Sequence, residues 1–194
     1  MFLQMHHLSP LRLFVMFLIY LVILSSQDSR NYQREWIMTT CTIDIEQYLN
    51  SHISAICENS YHKNSLNHCA HFVSHIMGFR FGYICKNQTG KGSKKSAANI
   101  KVQQVFKKCK TVGKWDDKPA TLKFCLAFVT SAGEVNLKTG IMNNVPRKHI
   151  GVFHNTHIYH YSNSKNKVVK QKPSAFANHY SGSDITVYYG TIPR

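Results

Sequence analysis

One cysteine of this chain lies where its neighbours in the sequence can make it a nucleophile. The pattern around Cys69 predicts a helix over residues 67–77, capped by Ser65 or Asn67 and ended by Gly78. Cys69 then falls in the first turn, where free backbone N–H groups and the positive end of the helix dipole stabilise a thiolate. The same N–H groups can donate to an oxyanion on a substrate carbonyl. This position therefore predicts nucleophilic catalysis.

A nucleophile of this kind needs a base, and two later strand-like runs offer histidines. Residues 148–154 and 157–162 carry His149 and His160. We predict His149 as the base and His160 as the residue that orients it and selects its tautomer. The chain has nine acidic residues, none of them in either run, so an imidazole is a more natural orienting group than a carboxylate. A register shift of one residue would put His157 in place of His160.

Other roles for these side chains stay open at this stage. A cysteine buried in a helix is more often a small apolar residue than a nucleophile. His68, His71 and His75 recur at spacings of three and four, so a zinc site on that helix is conceivable, although 12 histidines make chance clusters common. No Cys-x-x-Cys pair occurs, which weakens a zinc-ribbon interpretation. The sequence alone leads us to assign no metal ligand and no cofactor.

The elements that must position these residues change character along the chain. Helical periodicity predicts helices over residues 42–58, 67–77 and 100–109, whereas residues 86–99 are rich in Gly, Ser and Lys and predict an exposed loop. Strand-like runs then follow at residues 122–130, 148–154, 157–162, 167–171 and 184–192, with a two-residue link at 155–156 and a helical turn within 173–180. Helices followed by a largely antiparallel sheet indicate an α+β fold.

The amino terminus predicts export. Residues 13–24 are an unbroken apolar run. Twelve helical residues cover only about 18 Å, short of the roughly 30 Å hydrocarbon core of a bilayer. The run suits a signal peptide over residues 1–26, with a short membrane anchor as the alternative. Residues 27–41 then form a linker and residues 42–194 the folded domain. We expect a secreted or periplasmic protein, with possible transient membrane contact through the amino terminus.

Composition restricts the partners. The 194 residues suit one domain and carry a net charge of +15, which attracts polyanions. No nucleic-acid-binding motif occurs, so in an exported protein anionic lipid or an anionic cell-wall polymer is the more accessible partner. The cysteines other than Cys69, whose pairing the sequence leaves open, are Cys41, Cys57, Cys85, Cys109 and Cys125.

The cysteine and histidine motifs together resemble the NlpC-like cysteine peptidases of the papain-like superfamily. In that family a helix-borne Cys precedes a strand of the form His-Val-Gly-Ile-Tyr and a third polar residue, often His, on the next strand. Here Cys69 precedes His-Ile-Gly-Val-Phe at residues 149–153 and Ile-Tyr-His-Tyr-Ser at residues 158–162. The resemblance implies a papain-like NlpC-type domain in which Cys69 is the nucleophile, His149 the base and His160 the orienting residue. It further implies hydrolysis of amide bonds in the stem peptides of peptidoglycan through an acyl-enzyme.

The resemblance has departures. Family members usually show Asp-Cys-Ser-Gly around the nucleophile, whereas residues 68–71 read His-Cys-Ala-His. A tyrosine commonly precedes the Cys and assists the oxyanion, and Tyr61 is the candidate here. The segment is also similar to the Asn-Cys-Glu-His-Phe-Val motif of lecithin:retinol acyltransferase relatives, in which the His strand comes before the Cys. Here the Cys comes first, which favours the peptidase order.

Two alternative functions remain. The same Cys–His pair could serve an acyltransferase or lipid hydrolase at a membrane, with a lipid-facing patch at Phe79, Phe81 and Tyr83. A non-enzymatic basic protein that binds polyanions is the other alternative. Its binding would weaken steeply with salt and would survive Cys69→Ser.

Overall fold

The computed structural model describes residues 43–89 and 97–193. The leader predicted at residues 1–26, the linker at 27–41 and Cys41 lie outside the described residues. Every helix and strand given below belongs to one compact unit, Ile45–Arg194. Within residues 43–89 and 97–193, each helix is too short or too polar to cross a lipid bilayer.

Helices lie mainly in the first half of this unit and strands in the second. The helices are α1 (Cys69–Met77), α2 (Cys85–Thr89), α3 (Val102–Lys108) and α4 (Pro173–Ala177), with 3₁₀ turns at Ile45–Tyr48, Ile53–Ala55, Trp115–Asp117 and Ala132–Glu134. The strands are β1 (Val112–Lys114), β2 (Phe124–Ser131), β3 (Val135–Asn136), β4 (Ile141–Met142), β5 (Lys148–His154), β6 (His157–Ser162), β7 (Lys167–Gln171) and β8 (Ile185–Gly190). The predicted α+β class with a largely antiparallel sheet is confirmed.

The main sheet has six strands in the order β1-β8-β2-β5-β6-β7, and every neighbouring pair is antiparallel. The strands β5 and β6, which carry the candidate histidines, are therefore flanked by β2 and β7 and do not lie at an edge. A two-residue turn joins them, and its first residue, Asn155, has the positive φ of 57° that such a turn favours. The bounds predicted for β5, β6 and β7 are confirmed.

Helices cover both faces of this sheet. Val129, Phe153 and Ile158 lie on one face and pack with Phe176 of α4 in a common apolar cluster. On the other face α3 packs its Phe106 ring 5.0 Å from the ring of Phe128. Helix α1 contacts both β5 and β6. Because side chains alternate along a strand, both histidines share the α4 face with Phe153 and Ile158.

The helix predicted over residues 42–58 is wrong. From residue 43 onward, this stretch forms the 3₁₀ turns Ile45–Tyr48 and Ile53–Ala55, separated by Asn50 with a φ of 63°. The backbone N–H of Asn50 donates to the carbonyl of Val168 at 3.0 Å, and the N–H of Val168 donates to the carbonyl of Ser51 at 3.0 Å. Backbone pairing with β7 thus replaces the helical hydrogen bonds that the local periodicity indicated.

The exposed loop predicted over residues 86–99 is also wrong at both of its ends. Its first residues belong to α2, and its last ones, Ala97, Ala98 and Asn99, are buried. Asn99 forms an antiparallel bridge with Ile84, which closes the segment back on itself. Residues 90–96 lie outside the described part of the chain. The helix predicted over residues 100–109 is confirmed as α3.

Candidate active site

Cys69 lies where the sequence predicts, at the first residue of α1. The side-chain oxygen of Asn67 accepts a hydrogen bond from the Cys69 backbone N–H at 3.1 Å, so Asn67 and not Ser65 satisfies this N–H group. Gly78 ends the helix with a left-handed φ of 71°, also as predicted. The local sequence therefore places the thiol beside the helix amino terminus.

The thiol of Cys69 is deeply buried, with only 1% of the residue exposed. The backbone N–H groups of Ile150 and Ala70 and the charge of Lys148 favour its thiolate form, but burial outweighs them and raises its pKa to about 11. The thiolate expected from the helix position alone is thus not the form that this arrangement favours at neutral pH. The thiol has to give its proton to a base when it reacts.

The thiol contacts β5 beyond the part of that strand that is paired with β6. Paired residues of β5 and β6 run from His154 opposite His157 to Val152 opposite Tyr159. The N–H that contacts the thiol belongs to Ile150, two residues beyond the last pair on β5 and next to His149. Helix α1, which begins at Cys69, contacts both of these strands.

The two histidines form a hydrogen-bonded chain that ends on a glutamine. Nε2 of His149 lies 2.9 Å from Nδ1 of His160. Nε2 of His160 lies 2.9 Å from Oε1 of Gln171, the last residue of β7. If His160 Nε2 donates to this oxygen, its Nδ1 accepts from His149 Nε2–H, and the lone pair of neutral His149 is left on Nδ1. This assignment gives every N–H in the chain an acceptor.

Nδ1 of His149 is buried and has no hydrogen-bond partner. The direct hydrogen bond between the Cys69 thiol and this nitrogen is therefore not formed in this structure. Burial first, and then the neighbouring His160 and His179, hold the pKa of His149 well below its usual value of 6.5. His149 is neutral at physiological pH, and its free Nδ1 is the atom suited to accept a proton.

The structure brings His160, and not His157, to His149. His157 is half-buried at the start of β6, where its Nδ1 lies 2.9 Å from the hydroxyl of Thr156. The strand register therefore brings His160, the orienting residue preferred from the sequence, to His149. Burial lowers the pKa of His160 to about 4, although its hydrogen bond with Gln171 acts in the opposite direction.

Sequence reasoning missed three residues of this site. Gln171 stands two positions after Val169, the register partner of His160, so strand alternation could have indicated it. The ring of His179 stacks on His149 at 3.9 Å between centroids and 22° between planes. Tyr180 lies near enough to Cys69 for a thiolate there to raise the pKa of its phenol, which burial already raises. Sequence spacing does not predict His179 or Tyr180 as site residues, because both follow α4 and reach the site only through the tertiary fold.

One ring nitrogen from each of His149, His160 and His179 lies within 4.8 Å of the other two, which raises the question of a metal ion. The stacked rings of His149 and His179 turn their faces towards each other. Lone pairs lie in the ring plane, so this arrangement is poor for shared coordination. The hydrogen bond between Nε2 of His149 and Nδ1 of His160 also occupies one nitrogen of each ring. Proton transfer is the chemistry that this group suits best.

A second polar cluster lies on the other side of α1. The ligand atoms of Cys57, His71, His75 and Cys85 lie within 4.8 Å of one another. The sequence made a zinc site at His68, His71 and His75 conceivable. That set is wrong for His68, which is not part of this group. Tyr61, the candidate oxyanion residue, packs with its ring 5.3 Å from that of His71 and so belongs to this side of the helix.

The cysteines of the described residues carry free thiols: Cys57, Cys69, Cys85, Cys109 and Cys125. Comparisons with protein-family models, with curated proteins and with solved structures give no match. The fold and site therefore define an α+β protein with a buried cysteine beside a His–His–Gln chain, and its function has to be argued from these residues.

Proposed function

We propose that this protein is a cysteine hydrolase of the papain-like NlpC type that cleaves amide bonds in the stem peptides of peptidoglycan. The observation that carries the proposal is the chain from Gln171 through His160 to His149, which leaves His149 Nδ1 as a buried, unpartnered acceptor. This acceptor belongs to the residue next to Ile150, whose N–H contacts the Cys69 thiol. Nucleophile, base and orienting groups are thus supplied by neighbouring elements.

The reaction needs the Cys69 thiol to come within hydrogen-bond reach of His149 Nδ1, which has no partner in this structure. The Cys69 proton moves to His149 Nδ1 while sulfur attacks the substrate carbonyl and the C–S bond forms. The imidazolium then gives this proton to the leaving amine as the C–N bond breaks. Water attacks the thioester, its proton passes through His149, and the C–S bond breaks to release the acid and restore the thiol. The alignment in such catalytic pairs often tightens only when substrate binds.

In this proposal two backbone N–H groups stabilise the oxyanion. The N–H groups of Ala70, in the first turn of α1, and Ile150, on β5, both contact the sulfur. A carbonyl carbon bonded to that sulfur would hold its oxygen close to the same donors. These N–H groups take the role that the sequence resemblance gave to Tyr61.

The surface supports an anionic, peptide-like substrate better than a lipid. The chain carries a net charge of +15, which attracts the anionic polymers of a cell wall. Of the residues expected to form a lipid-facing patch, Phe79 is buried and Phe81 is half-buried, which leaves Tyr83, 39% exposed. Export through residues 1–26 would bring the enzyme to this substrate, and it stays a prediction from the sequence.

Digestion of purified peptidoglycan by the full chain tests the proposal. New amines and fragment masses are measured for the wild type, Cys69→Ala and His160→Ala, with His157→Ala as the matched control on the same strand. We expect release by the wild type and His157→Ala, none by Cys69→Ala, and a loss of about tenfold to a thousandfold for His160→Ala.

Each other outcome identifies the part of the proposal that fails. Selective labelling of Cys69 by a thiol-reactive acyl probe, without release of fragments, would overturn the cell-wall substrate and favour an acyltransferase or lipid hydrolase. A folded protein that shows neither release nor labelling would overturn the catalytic assignment. Salt-sensitive binding of polyanions that survives Cys69→Ser would then favour the basic binding protein.

A further inference from the structure

Four side chains of the types that bind metal ions converge from three separate segments of the chain. Cys57 follows the 3₁₀ turn Ile53–Ala55, His71 and His75 lie one turn apart on α1, and Cys85 begins α2. Residues four apart on a helix project from the same face. Cys57, His71 and Cys85 are 2%, 0% and 0% exposed, and His75 is half-buried. Two thiols and two imidazoles therefore share one small space.

The distances between the ligand atoms match those around a tetrahedral zinc ion. With Zn–S bonds of about 2.3 Å and Zn–N bonds of about 2.05 Å, a tetrahedron places S and S about 3.8 Å apart, N and N about 3.3 Å, and S and N about 3.6 Å. Here the sulfurs of Cys57 and Cys85 are 3.8 Å apart, and the Nε2 atoms of His71 and His75 are 3.2 Å apart. Nε2 of His75 is 3.8 Å from the sulfur of Cys85. All three spacings agree to within a few tenths of an ångström.

The groups around the cluster support the same ligand atoms. The sulfur of Cys85 accepts from the backbone N–H of Ala98 at 3.3 Å and from the side-chain amide of Asn59 at 3.3 Å. Such N–H donors stabilise a thiolate ligand.

A second hydrogen-bond chain orients His71. Its Nδ1 lies 3.2 Å from Nδ1 of His68, and Nε2 of His68 lies 2.9 Å from the carbonyl oxygen of Lys63. Since that carbonyl can only accept, Nε2 of His68 donates to it, and Nδ1 of neutral His68 accepts from His71 Nδ1–H. The lone pair of His71 is then on Nε2, the atom that faces the cluster. A hydrogen bond from the other nitrogen of a ligating histidine is the usual support of a metal site.

We propose that Cys57, His71, His75 and Cys85 bind one zinc ion with a structural role. Two thiolates neutralise the charge of Zn²⁺, and two imidazoles complete a four-coordinate shell that leaves no position for substrate. The ion would join the segment before α1, α1 itself and α2. A hydrogen bond between the two thiols explains one of these spacings, whereas a central cation explains all of them.

Zinc analysis of the full chain tests this proposal. Metal per chain is measured by mass spectrometry after purification without added metal. We expect close to one zinc ion per chain in the wild type and in two controls, Cys69→Ser and Cys125→Ser, and a loss of most of it in Cys57→Ser and Cys85→Ser. Cys125 is a matched control because it is a fully buried thiol of β2 outside the cluster.

If the ligand variants fail to fold, a spectroscopic measurement on the wild-type chain still tests the proposal. The wild-type chain is stripped with a chelator and titrated with Co²⁺. Tetrahedral cobalt bound by two thiolates gives strong visible bands and a sulfur-to-metal charge-transfer band, which zinc abolishes by displacement. A folded wild-type chain that holds no zinc and gives no such bands would overturn the proposal. A disulfide between Cys57 and Cys85, or zinc retained by the double variant of these cysteines, would overturn it equally.

Discussion

The hydrogen bond from His160 to Gln171 provides the sharpest test of the catalytic chain. Gln171→Leu keeps a side chain of similar size but removes the acceptor that lies 2.9 Å from His160 Nε2. The buried N–H is then unsatisfied, and this costs about 1–3 kcal/mol. The cost of the unsatisfied His160 N–H is largest when His149 is protonated, because the Nδ1 lone pair of His160 then accepts a hydrogen bond from a charged imidazolium ring.

The magnitude follows from this cost. Only the part of this cost that is added when His149 becomes protonated raises the barrier. Each 1.36 kcal/mol of it is a factor of ten in rate, so kcat/KM should fall by up to about 150-fold in Gln171→Leu. Gln171→Glu is the matched variant, since a carboxylate accepts the same hydrogen bond and stabilises the positive charge better. It should retain activity to within about tenfold.

The assay compares amide hydrolysis with the rate at which an acyl probe labels Cys69, at several pH values. Both rates should fall together in Gln171→Leu, because the hydrogen bond acts on removal of the thiol proton. The ring signals of His160 in NMR spectra should also titrate at lower pH, since Gln171 raises its pKa. A folded Gln171→Leu protein with wild-type rates would refute the assignment of His160 and Gln171 as positioning residues.

Two further predictions concern stability. Burial lowers the pKa of His160 from 6.5 to about 4, so the unfolded chain binds more protons between these values, and the free energy of unfolding should decrease as pH falls from 6.5 to 4. Urea titrations should show a smaller decrease for His160→Asn than for the wild type, and equal decreases would contradict this reasoning. In Gly151→Ala the new Cβ would lie 2.9 Å from the carbonyl oxygen of Tyr159 and 2.5 Å from Cγ2 of Ile158. We therefore expect the free energy of unfolding, measured by thermal unfolding, to decrease by about 1–3 kcal/mol. Gly133→Ala meets nothing within 4 Å and is the control, and equal stability of the two variants would exclude the proposed close contact.

The parts of the fold that sequence predicts well are those whose pattern is local. The strands β5, β6 and β7 are short runs of β-branched and aromatic residues bounded by turn residues, and their bounds are confirmed. The start of α1 follows equally from Asn67 and its end from Gly78. These signals depend on a few neighbouring residues and are read without knowledge of the rest of the chain.

The parts that it misses depend on contacts between distant segments. The stretch around Asn50 has helical periodicity, but pairing with Val168 makes it irregular. Cys57 and Cys85 are 28 residues apart in sequence and meet only because α1 and α2 fold around them. His179 reaches His149 from the end of α4. The pKa of Cys69 is missed for the same reason, since helix position is local and burial is not.

The turn at Asn155 and Thr156 has a consequence for loop engineering. His149 and His160 are eleven residues apart, and their contact spans this turn. One inserted residue that displaced the register of β6 would present Tyr159 or Tyr161 to His149 in place of His160. A loop inserted elsewhere on the sheet need not alter the His149–His160 contact. A loop inserted at residues 155–156 that shifted the register would remove the hydrogen bond between the two histidines. Within residues 43–89 and 97–193, this two-residue turn is the shortest link between consecutive strands, and it is the least permissive insertion point among those that join the strands of the site.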